Sequence, residues 1–142
     1  MHLNRASWLG ALALITAGLL IGLSFIATPV KFMAAGIGVA ELLQVGRVTF
    51  RASLGVETVC VFGLLVLARG KARGAVVACA FILAAQHVML MPALDARTLA
   101  IISGNAVPPS SLHMIWIIAD MVRVLIYLML GASSLMAAEG VN

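Results

Sequence analysis

The chain has 142 residues, of which 63% are hydrophobic and only 10% charged, with a formal net charge of +4 at pH 7. A soluble domain is about half apolar and a quarter charged, so this composition argues against a water-soluble globule and points to one compact integral membrane domain in a lipid bilayer. The basic residues form no run with interleaved aromatics, so a nucleic-acid partner is not expected.

In chain order, residues 7–28 form the first predicted span, since about 20 apolar residues at 1.5 Å each cross roughly 30 Å of hydrocarbon. Arg5 ahead of this run suggests a secretory signal, but the apolar part is too long and no small-x-small cleavage site is well placed. It is read as a retained span. Gly18-x-x-x-Gly22 offers a surface for close helix approach. Pro29 is expected to end or kink the helix, and Gly36-Ile37-Gly38 marks a break.

From Val39 to Phe50, apolar Val39, Leu42, Leu43, Val45 and Phe50 alternate with Glu41, Gln44, Arg47 and Arg51 at helical spacing. That pattern predicts a short interfacial helix between the first and second spans, or an extension of the second. The second span covers residues 52–69 and carries Glu57, and the third covers residues 74–94. After it, Ser103-Gly104-Asn105 reads as an ordered turn, and Ser110 or Ser111 can cap a fourth span over residues 112–136. The fold class expected is an all-α, integral membrane four-helix bundle. Cys60 and Cys79 fall inside spans and read as small buried hydrophobes rather than a disulfide framework.

Four spans place both termini on one side. Arg5, Arg69, Lys71 and Arg73 lie on that side, and Lys31, Arg47, Arg51 and Arg97 on the other, so the count of basic residues is tied. The density of charge in Arg69-Gly70-Lys71-Ala72-Arg73, read as a loop, tips the termini toward the cytoplasm.

The candidate site is a polar layer inside this bundle: Glu57, Gln86, His87, Asp120 and Arg123. Counted from the span ends on one side, Glu57, His87 and Asp120 all lie roughly 8 to 11 Å deep at 1.5 Å per residue. On the fourth helix, at 100° per residue, His113, Trp116, Asp120, Arg123 and Tyr127 fall within an arc of about 80°. The opposite face carries Ile115, Ile118, Val122, Leu125 and Met129. Asp120 and Arg123 together cost about 5 to 7 kcal/mol to insert, and the apolar residues between Ile115 and Leu130 return only about 3 to 5. The fourth span therefore needs partners, and Asp120 along the helix and Glu57 across the bundle are the natural ones for Arg123.

Each group has a plainer role available. Glu57 near the start of its span could reach the interface, where the helix dipole favours a carboxylate. His87 beside Gln86 fits a proton relay less well than a hydrogen bond to a neighbouring helix. Haem ligation by His87 and His113 is disfavoured by a depth difference of about two turns, and Glu57, His87, His113 and Asp120 match no metal-ligand spacing. No catalytic residue, metal site or cofactor is expected, and no phosphate loop, nucleophile elbow or Cys-x-x-Cys is present.

Three short stretches carry a family resemblance: Ala27-Thr28-Pro29-Val30-Lys31-Phe32 at the end of the first helix, Met91-Pro92-Ala93-Leu94 at the end of the third, and Leu112-His113 opening the fourth. On these the chain resembles the small membrane proteins of the transmembrane protein two-hundred-five-like family. That resemblance implies a four-helix membrane fold and supplies no activity or site residue. Three functional classes follow from the residues. The leading one is a non-enzymatic membrane protein that supports other membrane components, with the polar layer as an internal lock. The others are a small oligomeric transporter or channel lined by Glu57, His87, Asp120 and Arg123, and a membrane subunit of an enzyme or redox complex. A second copy of the chain or another membrane protein is the partner expected.

Overall fold

The computed structural model describes residues 4–139, and all of their regular structure is helical. Four long helices follow one another: α1 (Arg5–Lys31), α2 (Val39–Leu67), α3 (Gly70–Ile102) and α4 (Leu112–Glu139). Each is long and apolar enough to cross a membrane.

Local chemistry sets most of the ends. Asn4 caps α1, its Oδ1 accepting from the Ser7 backbone N–H at 2.9 Å. The last carbonyls of α2 are taken by a side chain from another helix: Arg5 donates from Nε to Leu67 O at 2.7 Å and from Nη2 to Val66 O. A guanidinium there answers both the orphan carbonyls and the negative end of the helix dipole. The link to α3 is only Ala68 and Arg69, and Lys71 and Arg73, expected in a loop, lie in the first turn of α3. At the other end of α3, Gly104 takes φ +78°, while Asn105 N–H bonds Ala100 O and Gly104 N–H bonds Ile101 O. This is a Schellman stop, for which only glycine is unstrained. Ser110 Oγ then accepts from Leu112 N–H as α4 begins.

Pro29 and Pro92 both lie inside helices that continue past them. A proline donates nothing to the carbonyl four residues back, and its ring collides with it. Each is preceded by a π-helical stretch, Ile21–Ala27 and Gln86–Leu90, whose wider turns relieve that clash. Thr28 shows the change of register, with both its N–H and its Oγ1 bonded to Leu23 O, five residues back. So Pro29 does not end α1, which runs on to Lys31.

Two expected boundaries are corrected. There is no separate interfacial helix: residues 39–50 are the first part of one continuous α2. Its buried residues, Leu42, Gly46, Ser53, Leu54, Glu57, Val61 and Leu64, lie on both sides of the region where Arg47 and Arg51 interrupt the hydropathy, with Phe50 half-buried between them. Likewise α3 does not stop at residue 94 but reaches Ile102. At 1.5 Å per residue α2 and α3 are about 44 and 50 Å long, well beyond a bilayer core of roughly 30 Å. Their extensions lie at the same end, and Asp95 of α3 ties them by accepting two bonds from Arg47, Nε to Oδ1 at 2.7 Å and Nη2 to Oδ2 at 3.1 Å, with Arg51 as a third donor.

α1 packs most extensively against α4. The closest approach is at Gly10 and Gly131: a Cβ on Gly131 would meet Leu14 at 2.6 Å and lie 3.3 Å from Gly10 O, and one on Gly10 would lie 3.1 Å from Gly131 O. Gly18 and Gly22 have nothing within 4 Å of such a Cβ, so they make no close approach within the bundle. The core combines Ala13, Ala17 and Leu20 of α1 with Leu64, Val76, Cys79 and Leu83 of α2 and α3, and with Val124, Tyr127 and Leu130 of α4. Cys60 is half-buried and Cys79 buried, both as free thiols.

Replacing Gly131 by Val is expected to lower the thermal midpoint of the detergent-solubilised protein, by the roughly 1 to 3 kcal/mol typical of overpacking. Gly18→Ala is expected to leave it unchanged or raise it, since helix propensity gains about 0.5 to 1 kcal/mol and nothing is displaced. Melting curves of the two variants check this directly.

Candidate functional site

All four helices contribute a polar side chain to one layer in the middle of the bundle. α2 supplies Glu57, well inside the helix now that its start lies at Val39. The interfacial role open to a carboxylate near a helix start therefore does not apply. α4 supplies Asp120, Arg123 and Tyr127 at spacings of three and four, which keeps them on one face. The π-helical stretches of α1 and α3 supply Ser24 and Gln86.

Arg123 is the hub. Its Nη1 donates to Glu57 Oε1 at 2.6 Å, and its Nη2 to Asp120 Oδ1. Tyr127 donates its hydroxyl to the same Glu57 Oε1 at 3.1 Å. Gln86 Nε2 donates to Asp120 Oδ1 at 2.9 Å, and Ser24 Oγ to Asp120 Oδ2 at 2.6 Å. Glu57, Gln86, Asp120, Arg123 and Tyr127 are no more than 1% exposed. At such depth charged hydrogen bonds act in a low dielectric and are short and directional.

The layer is not evenly matched. Two carboxyl groups face one guanidinium, and Glu57 Oε2, Gln86 Oε1 and Arg123 Nε have no hydrogen-bond partner among the described residues. Removing one member of a buried ion pair strands the other, at about 3 to 5 kcal/mol.

His87 does not join the layer. It is exposed on the outside of the bundle, where its Nε2 lies 3.4 Å from Thr58 Oγ1. The depth count carried no direction around the axis: adjacent helical residues point about 100° apart, and Gln86 takes the inward position. On α4, Trp116, Asp120, Arg123 and Tyr127 turn inward, while Ile115, Ile118, Val122, Leu125 and Met129 face outward. His113, the first of the polar stripe, is exposed. Trp116 is buried one turn above Asp120, packed edge-on to Phe50 at 5.4 Å. Sequence reasoning missed Ser24, a lone hydroxyl in an apolar run, although it precedes Lys31 by as many residues as His87 precedes Leu94. It also counted Arg47 and Arg51 only among the basic residues and the helical pattern, without pairing them with Asp95.

Among the described residues no group of three or more His, Cys, Asp or Glu side chains could hold a metal ion. A scan against protein-family models finds no match, and neither curated proteins nor solved structures give one.

Arg123→Met should lower stability by about 3 to 5 kcal/mol, since it leaves two carboxyl groups buried without their cation. Arg123→Lys should recover only part of this, because a single ammonium cannot span Glu57 and Asp120 with the fixed fork of a guanidinium. His87→Phe should be nearly silent, within about 0.5 kcal/mol, as expected for a surface position. Denaturant unfolding of the three variants in one detergent ranks them.

Proposed function

We propose that the chain is a four-span integral membrane protein with a non-enzymatic, supporting role, in which the polar layer is a lock that fixes the heights of the helices. The observation that carries this reading is the Glu57–Arg123–Asp120 network, extended by Ser24 and Gln86 so that every helix has a bonded group in it. Around it the outer surface is strongly apolar. Val59, Phe62, Phe81, Val88 and Met129 are all at least 70% exposed, a surface suited to lipid tails. The dense basic cluster Arg69, Lys71 and Arg73 favours placing the α2–α3 turn and the termini at the cytoplasmic face of the cell membrane. The partner such a support would hold is another membrane protein or a second copy of the chain, approached through these apolar faces.

A second reading is favoured by one observation, the excess of carboxyl groups over cations in the layer together with the unpartnered Glu57 Oε2. An unbalanced buried carboxyl group is a natural proton or cation acceptor, as in transport proteins.

The two readings part on water access. In a protein lacking Cys60 and Cys79, Ser24→Cys places a thiol beside Asp120 with little change of shape. The lock predicts that a membrane-impermeant thiol reagent does not label it in the folded protein from either side, and that vesicles carrying the wild-type protein show no proton flux above empty vesicles. Labelling within minutes, or a flux lost in Asp120→Asn, would replace the lock by a conducting path.

A further inference from the structure

A cavity of about 360 Å³ opens at the end of the bundle where the extensions of α2 and α3 project, one turn above the polar layer. Its size falls in the range of small-ligand sites, roughly 300 to 1,000 Å³. Its walls are mostly apolar, with Phe50, Met91, Leu94 and Ile101 among them, and Trp116 among its lining residues.

Two independent features point to an occupant. The first is charge. Lys31, Arg47 and Arg97 all line the cavity against the single carboxylate of Asp95, which is already shared by Arg47 and Arg51. Lys31 makes no ion pair among the described residues. Its ammonium is held instead over aromatic faces, 5.1 Å from the Phe32 ring centre and 5.7 Å from that of Phe50. It lies over Gly46, where any side chain would collide with it. The second feature is Trp116, only 3% exposed, whose indole Nε1 has no hydrogen-bond partner among the described residues. A buried N–H donor without an acceptor is uncommon and costly.

An apolar chamber with unbalanced cations and a spare buried donor suits a molecule that is greasy at one end and anionic at the other. We propose that this cavity binds an acylated amphiphile with a phosphate-type anionic headgroup, the headgroup oxygens meeting Lys31, an ester carbonyl accepting from Trp116 Nε1 and the acyl chain lying along the apolar wall. Basic pockets between membrane helices are a recurrent setting for anionic lipid headgroups. The Arg47–Asp95 pair holds the two extensions together behind the cavity, and Arg97, which bonds Pro108 O at 2.6 Å, fixes the connection leading to α4. The site is separate from the polar layer and does not depend on the supporting role proposed above.

The chain has two tryptophans, so Trp8→Phe leaves Trp116 as the only indole reporter. In nonionic micelles, phosphatidic acid and phosphatidylcholine with identical brominated chains, which quench on contact, serve as probes. The site predicts saturable quenching by phosphatidic acid at about tenfold lower mole fraction than by phosphatidylcholine, the gain of one charge-assisted contact. Lys31→Gln should abolish that preference, and so should Gly46→Val, which displaces the ammonium while keeping its charge; a thermal melt of each variant confirms folding. Equal quenching by the two lipids, or a preference that survives in both folded variants, would overturn the proposal. A saturable change in Trp116 emission on adding millimolar inorganic phosphate, lost in Lys31→Gln, with no quenching by either brominated lipid, would assign the cavity to a free anion and overturn the amphiphile.

Discussion

The architecture turns on one guanidinium shared by two carboxyl groups in a place where none of the three could stand alone. Arg123 reaches Asp120 on its own helix and Glu57 on another, and the remaining two helices supply Ser24 and Gln86 as further donors to Asp120. The insertion cost of Asp120 and Arg123 on α4 exceeds what its apolar residues return, by roughly 2 kcal/mol. In a bilayer that deficit would couple the insertion of α4 to its packing. A slip of α4 by one turn, about 5.4 Å, would leave Arg123 with Asp120 but separate every donor from its acceptor on another helix. Apolar contacts alone would tolerate such a slip far better, which is why we propose the network as a register device more than as a source of raw stability.

The same constraint accounts for the irregular backbone. Ser24 and Gln86 both lie in π-helical stretches that precede a proline, Pro29 in α1 and Pro92 in α3. The wider turns re-aim side chains relative to the helix below, and at both positions the re-aimed group is a hydrogen-bond donor to Asp120. Above this layer the bundle changes character. Trp116 and Phe50 begin a region of aromatic walls and surplus cations, and below it Gly10 and Gly131 let α1 and α4 close tightly.

Much of this was legible in the sequence, in a particular way. The heights of Glu57, His87 and Asp120 were counted from span ends, because a helix rises a fixed distance per residue, and Gln86 came into the layer as the neighbour of His87. The α4 stripe was legible because five polar or aromatic residues recur at threes and fours on one helix. His87 was misassigned because its inward direction depends on which neighbour, Gln86 or itself, the tertiary packing selects. The continuity of α2 stood only as the alternative to an interfacial helix, because the charges of Arg47 and Arg51 break the hydropathy and their partner, Asp95, sits on a distant segment. Gly10 and Gly131 are far apart in the chain, and nothing local marks them as facing each other. Gly18-x-x-x-Gly22, the pattern that local reading favours, makes no such contact.

The measurement that bears most directly on the lock is a double-mutant cycle between Glu57 and Arg123, using Glu57→Gln, Arg123→Gln and the pair, with unfolding free energies taken in mixed micelles. The account predicts strong coupling, about 2 kcal/mol or more, with the double variant less destabilised than the two single changes added together. Additive effects, within about 0.5 kcal/mol, would mean that the two groups do not act as one unit and that the helices are held in register by something else.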